Sequence, residues 1–297
     1  MMDDIDQERR SLFGQPSGKA AAMAMGAIAA SAAAPLAEAA AAERGNVTDP
    51  DILNFTLNLE YLETEFYLRG VLGQTLDQAM GTNLGGAVRG GRKVAFSTPV
   101  REGLLKNITG NEIAHVRFVR ATVEALGSRP VARPPIDFEA GFGGVARAAG
   151  LPDFNPFANE MNFFLGAMLF EDVGITALKG ASDLIRSRLL LESSAGLLAA
   201  EGYHMGAVRS VLYKMGAPAH ARSAAISDLR DSLDGPDDRD QPVALGQRAN
   251  IVPANQNGIA FGRTPEHVLN IVYNNPARGV LQGGFFPEGV NGRIRAT

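Results

Sequence analysis

The sequence predicts an all-α protein: a four-helix bundle with a long crossover between its second and third helices, followed by an irregular C-terminal arm. Three observations carry that expectation. Four stretches of roughly thirty residues repeat apolar side chains at helical spacing. Three of them open on Asp, Thr or Asn followed by proline, the first residue capping and the proline taking the first helical position. Glycines stand where the patterns stop.

In chain order, the first helix starts at Asp49-Pro50 and runs to about Gly73, and the second runs from Thr98-Pro99 to Gly127. The third starts at Asn155-Pro156 and ends near Gly180, and the fourth occupies about Ser182 to Gly216. At 1.5 Å per residue each spans roughly 40 Å, and four helices of matched length form a bundle. Residues 74–97 read as a Gly-rich loop. Its Gly85 to Gly90 has phosphate-loop spacing, but Gly91-Arg92 stands where Lys-Ser/Thr would be needed, which excludes that motif. Residues 128–154, with Pro130, Pro134, Pro135 and the run Gly141-Phe142-Gly143-Gly144, are long enough to cross the bundle and set helices two and three parallel. Lys179-Gly180-Ala181 joins helices three and four almost directly.

Beyond Gly216 the charge-dense run Asp228 to Gln241 reads as a solvated loop. One short helix opens at Thr264-Pro265-Glu266, and Gly and Asn turns follow with Phe285 and Phe286 among them. Residues 40–216 are thus expected to form the bundle. Residues 217–297 form an extension packing on it or on a neighbouring subunit of a homo-oligomer.

Residues 1–39 read as an export signal. Arg9-Arg10 precedes an uncharged, Ala-dominated stretch from Ala20 to Ala37, and Ala37-Glu38-Ala39 offers a small-x-small cleavage site. The paired arginines and modest hydrophobicity resemble a twin-arginine signal, which implies a periplasmic or secreted protein. The alternative is an Ala-rich helical or disordered N-terminus. An Ala/Gly run containing Pro35 gains little from lipid, so no stable membrane insertion is expected once the signal is removed.

The 297 residues include no cysteine, which excludes disulfide scaffolds, thiolate metal sites, iron–sulfur clusters and cysteine nucleophiles. A formal charge of −4 gives no basic footprint for nucleic acid. A metal site must therefore come from carboxylates and the four histidines.

Two of those histidines repeat one pattern. Helix two carries Glu112-Ile113-Ala114-His115 and helix four Glu201-Gly202-Tyr203-His204, each placing Glu and His on one helical face at i, i+3. Helix one adds Glu60, Glu63 and Glu65, and helix three adds Glu171 beside Asp172. One Glu from each of two helices plus Glu-x-x-His from the other two is the ligand pattern of di-metal carboxylate bundles. Glu171 lies in the apolar run FFLGAMLFEDVG, where an unpaired charge would cost several kcal/mol. Four glutamates balance two divalent ions, and oxygen donors with one imidazole per ion suit iron or manganese, with zinc as a substitute. The alternative is a degenerate bundle whose acids are hydrogen-bonded without metal.

The stretches LNLEYLETEFYLRG, NEIAHVRF, LFEDVGITALKG and EGYHMGAVR, with NGIAFGRTPEHVLNIVY and GGFFPEGVNG in the tail, resemble the bacterial ferritin-like domain family that includes plant and bacterial desiccation-related proteins. The similarity spans most of residues 49–297 and extends distantly to manganese catalases and bacterioferritins. It implies a ferritin-like bundle but no defined reaction. The ligand set it implies is Glu60, Glu112, His115, Glu171, Glu201 and His204. Glu60 precedes Tyr67 by seven residues, similar to the Glu and Tyr spacing in the first helix of bacterioferritins. Glu63 lies on nearly the same face, as a supporting group or alternative ligand, and Glu65 points elsewhere, toward the surface.

Tyr67 is the candidate catalytic side chain, as a donor or electron relay beside the ligands, with a buried structural tyrosine as the alternative. Tyr203 has the same standing. Asp172 and Arg117 are candidates to orient ligands, with a surface ion pair as the alternative. Gly110, Gly174, Gly202 and Gly206 are expected to allow close helix packing, with an opening for small substrates as the alternative. His220 and His267 fall outside the pattern. The expected function is redox chemistry on peroxide or dioxygen, catalase-like or ferroxidase-like, in oxidative or desiccation stress. The alternative is a structural or stress-protective oligomer with a vestigial or stabilising metal site.

Overall fold

The computed structural model describes residues 47–297, which form one compact unit. The export-signal reading of residues 1–39 lies outside the described residues. Thr48 caps α1 (Asp49–Tyr67) in a capping box with Asp51, and every residue from Ile52 to Tyr67 is buried. A helix buried on all sides belongs to the core rather than the surface. The helix ends in a π-helical turn, Leu68–Leu72, and Gly73 closes it in the left-handed region at φ 70°. A Cβ at Gly70 would overlap the ring of Phe163, so only glycine lets the chain pass there.

After the short α2 (Leu76–Met80) and β1 (Val88–Arg89), Thr98 caps α3 (Pro99–Ala125). Strand β2 (Ile136–Asp137) pairs in parallel with β1 and leads into α4 (Phe138–Ala148), then α5 (Glu160–Ser182) and α6 (Arg188–Lys214). The bundle consists of α1, α3, α5 and α6. Asn54 near the start of α1 bonds to Arg129 and Val131, just past α3, while Thr64 further along bonds to the Glu112 carbonyl. Helices α1 and α3 therefore run antiparallel. Asp49 likewise accepts from the Arg186 and Ser187 amides, just past α5, whereas Tyr67 meets Glu171. Helix α5 is thus also antiparallel to α1 and parallel to α3, as the long connection requires. Glu160 at the start of α5 ties the two starts together by accepting from Ser97 and Arg101.

Several boundaries differ from expectation. Helix α5 begins after Asn159, because the Asn155 side chain accepts from the Phe157 amide and closes a turn around Pro156. It ends at Ser182, close to the expected stop near Gly180. That glycine lies within the helix, where a Cβ would overlap the Arg263 carbonyl of the arm. Residues 183–187 separate α5 from α6, and Ser187 caps the latter. Within the crossover, α4 forms despite its glycines. Asp137 caps it, and Phe138, Gly141, Phe142 and Val145 supply a buried i, i+3, i+4, i+7 face. Gly141 leaves room for the Phe285 ring, which packs edge-on against Phe142 at 4.8 Å and Phe170 at 5.1 Å.

The largest departure lies beyond Gly216. Helix α7 (Ala217–Asp234) starts there at once, and part of the expected solvated run Asp228 to Gln241 is buried. Arg209, Arg230 and Arg263 are fully buried against Asp172, Asp234 and Asp240. Arg209 bonds Asp172 at 2.8 Å and the carbonyls of Gln241, Pro242 and Asn250. Arg263 also donates to the Thr176 hydroxyl on α5. The arm continues through the hairpin β3 (Ala244–Leu245) and β4 (Arg248–Ala249) to α8 (Pro265–Val272). Residues 217–297 thus pack on their own bundle through three arginines and a phenylalanine.

Candidate metal centre

The six ligand candidates come from the middle of the four bundle helices, and all six are buried. Glu60 reaches inward from α1, Glu112 and His115 from α3, Glu171 from α5, and Glu201 and His204 from α6. Their donor atoms form two overlapping groups. Glu60, Glu112, His115 and Glu201 offer ligand atoms all within 4.8 Å of one another, as do Glu112, Glu171, Glu201 and His204. Glu112 and Glu201 belong to both groups, which places them where a carboxylate could bridge two ions.

The two halves mirror each other. His115 Nδ1 lies 2.9 Å from Glu201 and 3.6 Å from Glu60, while His204 Nδ1 lies 3.0 Å from Glu112 and 3.7 Å from Glu171. The imidazoles face each other at 5.8 Å. None of these approaches has hydrogen-bond geometry. Eight buried donor atoms are left without a hydrogen-bond partner: one oxygen each of Glu60 and Glu171, both of Glu112, both of Glu201, and Nδ1 of both histidines. Buried polar atoms are normally satisfied, and a converging set of orphaned oxygens and imidazole nitrogens fits metal ions.

Electrostatics point the same way. Burial lowers the affinity of both imidazoles for a proton, but the surrounding carboxylates outweigh it. His115 is raised to about 11 by Glu201 and Glu60, and His204 to about 9 by Glu112 and Glu201. Burial and the Glu201 charge lift Glu112 to about 8, whereas the two histidines overcome burial at Glu201 and hold it at about 2. Without metal, protons supply the positive charge this cluster demands. A cation bound there displaces them.

Tyr67, the candidate catalytic residue, is fully buried and donates its hydroxyl to Glu171 Oε1. That leaves Oε2 free toward the cluster. Burial and the Glu171 charge push the phenol well above its usual range, so it stays a donor. Glu63 is buried beside the site, with no ion pair among the described residues. Gly174 makes room for it, since a Cβ there would lie 3.1 Å from Glu63 Oε1. Burial and the charges of Glu201, Glu112 and Glu60 raise its carboxyl well above the ordinary range.

Other expectations are corrected. Glu65 is not at the surface: it is fully buried and paired with Arg69 at 2.9 Å and Arg133 at 2.6 Å. Tyr203 is largely solvent-exposed and Arg117 bonds the Ala79 carbonyl, so neither supports the site. Gly110, Gly202 and Gly206 make no close packing, for a Cβ on any of them meets nothing within 4 Å. Asp172 does not touch the cluster, but Arg209 and Arg230 anchor it next to Glu171. His220 stacks on Tyr213, and His267 lies half-buried at the start of α8. In a third acidic group, Asp234 and Asp240 pair with Arg230, Arg239 and Arg263, and Asp231 accepts from the Arg239 and Asp240 amides.

Sequence reasoning missed Thr64, whose hydroxyl bonds the Glu112 carbonyl at 3.2 Å and fixes α1 to α3 at a ligand candidate. Its position one residue after Glu63 was the available signal. It also missed the buried arginines, of which Arg209 and Arg230 lie on helices and Arg263 just before α8.

Comparisons with known proteins agree with this geometry. The ferritin-like domain model matches residues 48–214, the span of the four bundle helices. The ferritin-like catalase Nec2 of Nesocodon mauritianus is 30% identical over 268 residues, covering 83% of this chain and 84% of the relative. The desiccation-related protein PCC13-62 of Craterostigma plantagineum is 29% identical over 244 residues, covering 75% and 76%. Both relatives are plant proteins, so they do not single out a bacterial branch. On the fold, the domain match and the extent of the similarity, the chain belongs to the ferritin-like domain family.

Proposed function

We propose that this protein is a di-metal oxidoreductase that dismutates hydrogen peroxide, with two iron or manganese ions held by Glu60, Glu112, His115, Glu171, Glu201 and His204. The observation that carries the reading is the convergence of eight orphaned donor atoms in a site whose positive charge is otherwise supplied only by protons. The relative named a ferritin-like catalase supports peroxide as the substrate. In the balanced reaction one peroxide gives up two electrons and two protons and leaves as dioxygen. Those electrons and protons reduce a second peroxide to two waters. When bound, the metals supply the capacity to take up and return the two electrons.

The chain's own residues do the rest. Glu112 and Glu201 reach both groups and set their separation. Tyr67 holds Glu171 in one orientation through its hydroxyl. Glu63 is buried next to the ligands, where burial and the neighbouring carboxylates raise its carboxyl and favour the protonated form. The apolar shell of Phe66, Phe163, Phe170 and Val173 keeps bulk water out. Ferroxidase chemistry with dioxygen would use the same ligands. The twin-arginine-like signal supports a bacterial, periplasmic or secreted setting with cleavage after Ala39, which N-terminal sequencing of the exported protein tests.

A second reading rests on the desiccation-related relative: a stress-protective homo-oligomer in which the metals only stabilise the bundle. Metal analysis of protein from its native host, followed by oxygen evolution from peroxide, separates the two. Metal-free protein whose stability ignores chelation overturns the di-metal reading. Turnover that survives Glu171→Ala combined with His204→Ala overturns the assignment of these residues.

A further inference from the structure

Of the six ligand candidates, His115 is the most accessible, at 8%. Its Nδ1 edge faces Glu201 and Glu60, while the ring also lines a hollow of about 300 Å³ open to solvent. The other walls are Phe118 on α3 and Ser193, Gly196, Leu197 and Ala200 on α6. The hollow lies on a seam. Helix α3 packs chiefly on α1 and α6 on α5, whereas α3 and α6 meet sparsely. A Cβ at Gly196 would meet nothing within 4 Å, so small side chains here leave space that no other group fills.

The opposite side of the centre is closed. There the space beside Glu63 and Gly174 is only about 10 Å³, and Ile271 and Val272 of α8 cap it. A void that size admits at most a single water. Apart from His115, the walls of the α3/α6 hollow carry no ionisable group, so an ion entering would lose hydration without compensation. A neutral molecule of two or a few heavy atoms would not.

We propose that a small neutral oxidant reaches the metal centre through this α3/α6 hollow, with Gly196 and Ala200 setting the size limit and Phe118 forming the outer wall. The inference rests on the di-metal reading of the site, and it adds the route and its selectivity.

Gly196→Leu on the full chain tests it, with Ala200→Leu as a second variant. Gly196 is exposed on its helix with free space at Cβ, so leucine there improves helix propensity without a clash. Gly103→Leu, on exposed α3 away from the hollow and equally free of contacts, is the control. The direct readout is the stopped-flow rate of nitric oxide binding to the di-iron(II) protein, with metal content measured alongside. Both hollow variants are expected to keep their metal and to slow binding at least about tenfold, as an obstructed path slows association. Gly103→Leu is expected to match the parent.

Phe118→Ala is expected to widen entry and raise kcat/KM for tert-butyl hydroperoxide relative to hydrogen peroxide. Unchanged nitric oxide rates in metal-replete Gly196→Leu and Ala200→Leu would overturn the route. Slowed nitric oxide binding in protein that never turns over peroxide would support the route while overturning the peroxide function.

Discussion

A carboxylate set among Phe170, Val173 and Leu169 costs several kcal/mol unless a positive group or a donor meets it. Glu171 is met by a donor on one oxygen, the Tyr67 hydroxyl, and by nothing fixed on the other. That division of labour explains why the tyrosine belongs seven residues after Glu60, two turns along the same face of α1. Tyr67→Phe should therefore retain metal while leaving Glu171 free to rotate. A hydrogen bond to a charged group contributes about 1.5–3 kcal/mol, so peroxide kcat should fall roughly tenfold or more. Steady-state oxygen evolution with metal analysis checks this, and an unchanged kcat would reduce Tyr67 to a packing residue. Glu201 is the opposite case, shared by both donor groups. Glu201→Gln should lower the occupancy of both metals together, whereas Glu60→Gln should weaken one. Elemental analysis at limiting manganese distinguishes the outcomes.

Elements show where pattern reading succeeds and where it fails. Helices α1 and α3 were legible because capping residues, prolines and apolar spacing agree, and α6 from its apolar spacing. Helix α7 was not, because Ser223, Ser227, Arg230 and Asp234 fill its buried face with polar groups. The charged groups among them are tolerable inside because ion pairs meet them, Asp172 accepting from Arg209 and Arg230. Asp172→Asn leaves both arginines undercompensated, and breaking a buried ion pair typically costs about 3–5 kcal/mol. Calorimetry should show a clearly lower Tm, with the arm becoming sensitive to limited proteolysis before the bundle. A Tm within a degree or two of the parent would mean that phenylalanine packing alone holds the arm.

At the scale of the whole molecule, the charges of the candidate centre couple protons to stability. His115 near 11 and His204 near 9 bind protons more tightly in the folded chain than the ordinary imidazole near 6.5. Their stabilisation of the metal-free protein is full below about pH 6.5 and is lost as pH rises through the folded values. Glu112, raised to about 8, acts in the same direction, stabilising fully below the ordinary carboxyl range and losing that contribution through pH 8. Glu201, held near 2, stabilises above its ordinary pKa and loses this as pH falls toward 2. Metal-free protein should accordingly melt at a lower temperature at pH 9 than at pH 6.5. The metal-loaded form should show a smaller difference, because the cations replace the protons. Loading near neutral pH should release about three protons per pair of ions, one from each imidazole and one from Glu112, measurable in weakly buffered solution. Stability independent of pH in the metal-free form would contradict this coupling.

By itself the sequence determined the bundle and its parallel second and third helices, and it singled out the six ligand candidates that the structure gathers at one place. Each follows from spacing on a helix, and helical spacing is a local property. It could not rank Glu60 against Glu63, place Glu65, or say whether the tail closed on its own bundle. Those outcomes depend on which faces meet across the chain: Arg133 reaching Glu65, Gly174 making room for Glu63, and Gly141 admitting Phe285. Buried charge obeys no sequence period, because its cost is settled by a partner that arrives from elsewhere in the fold.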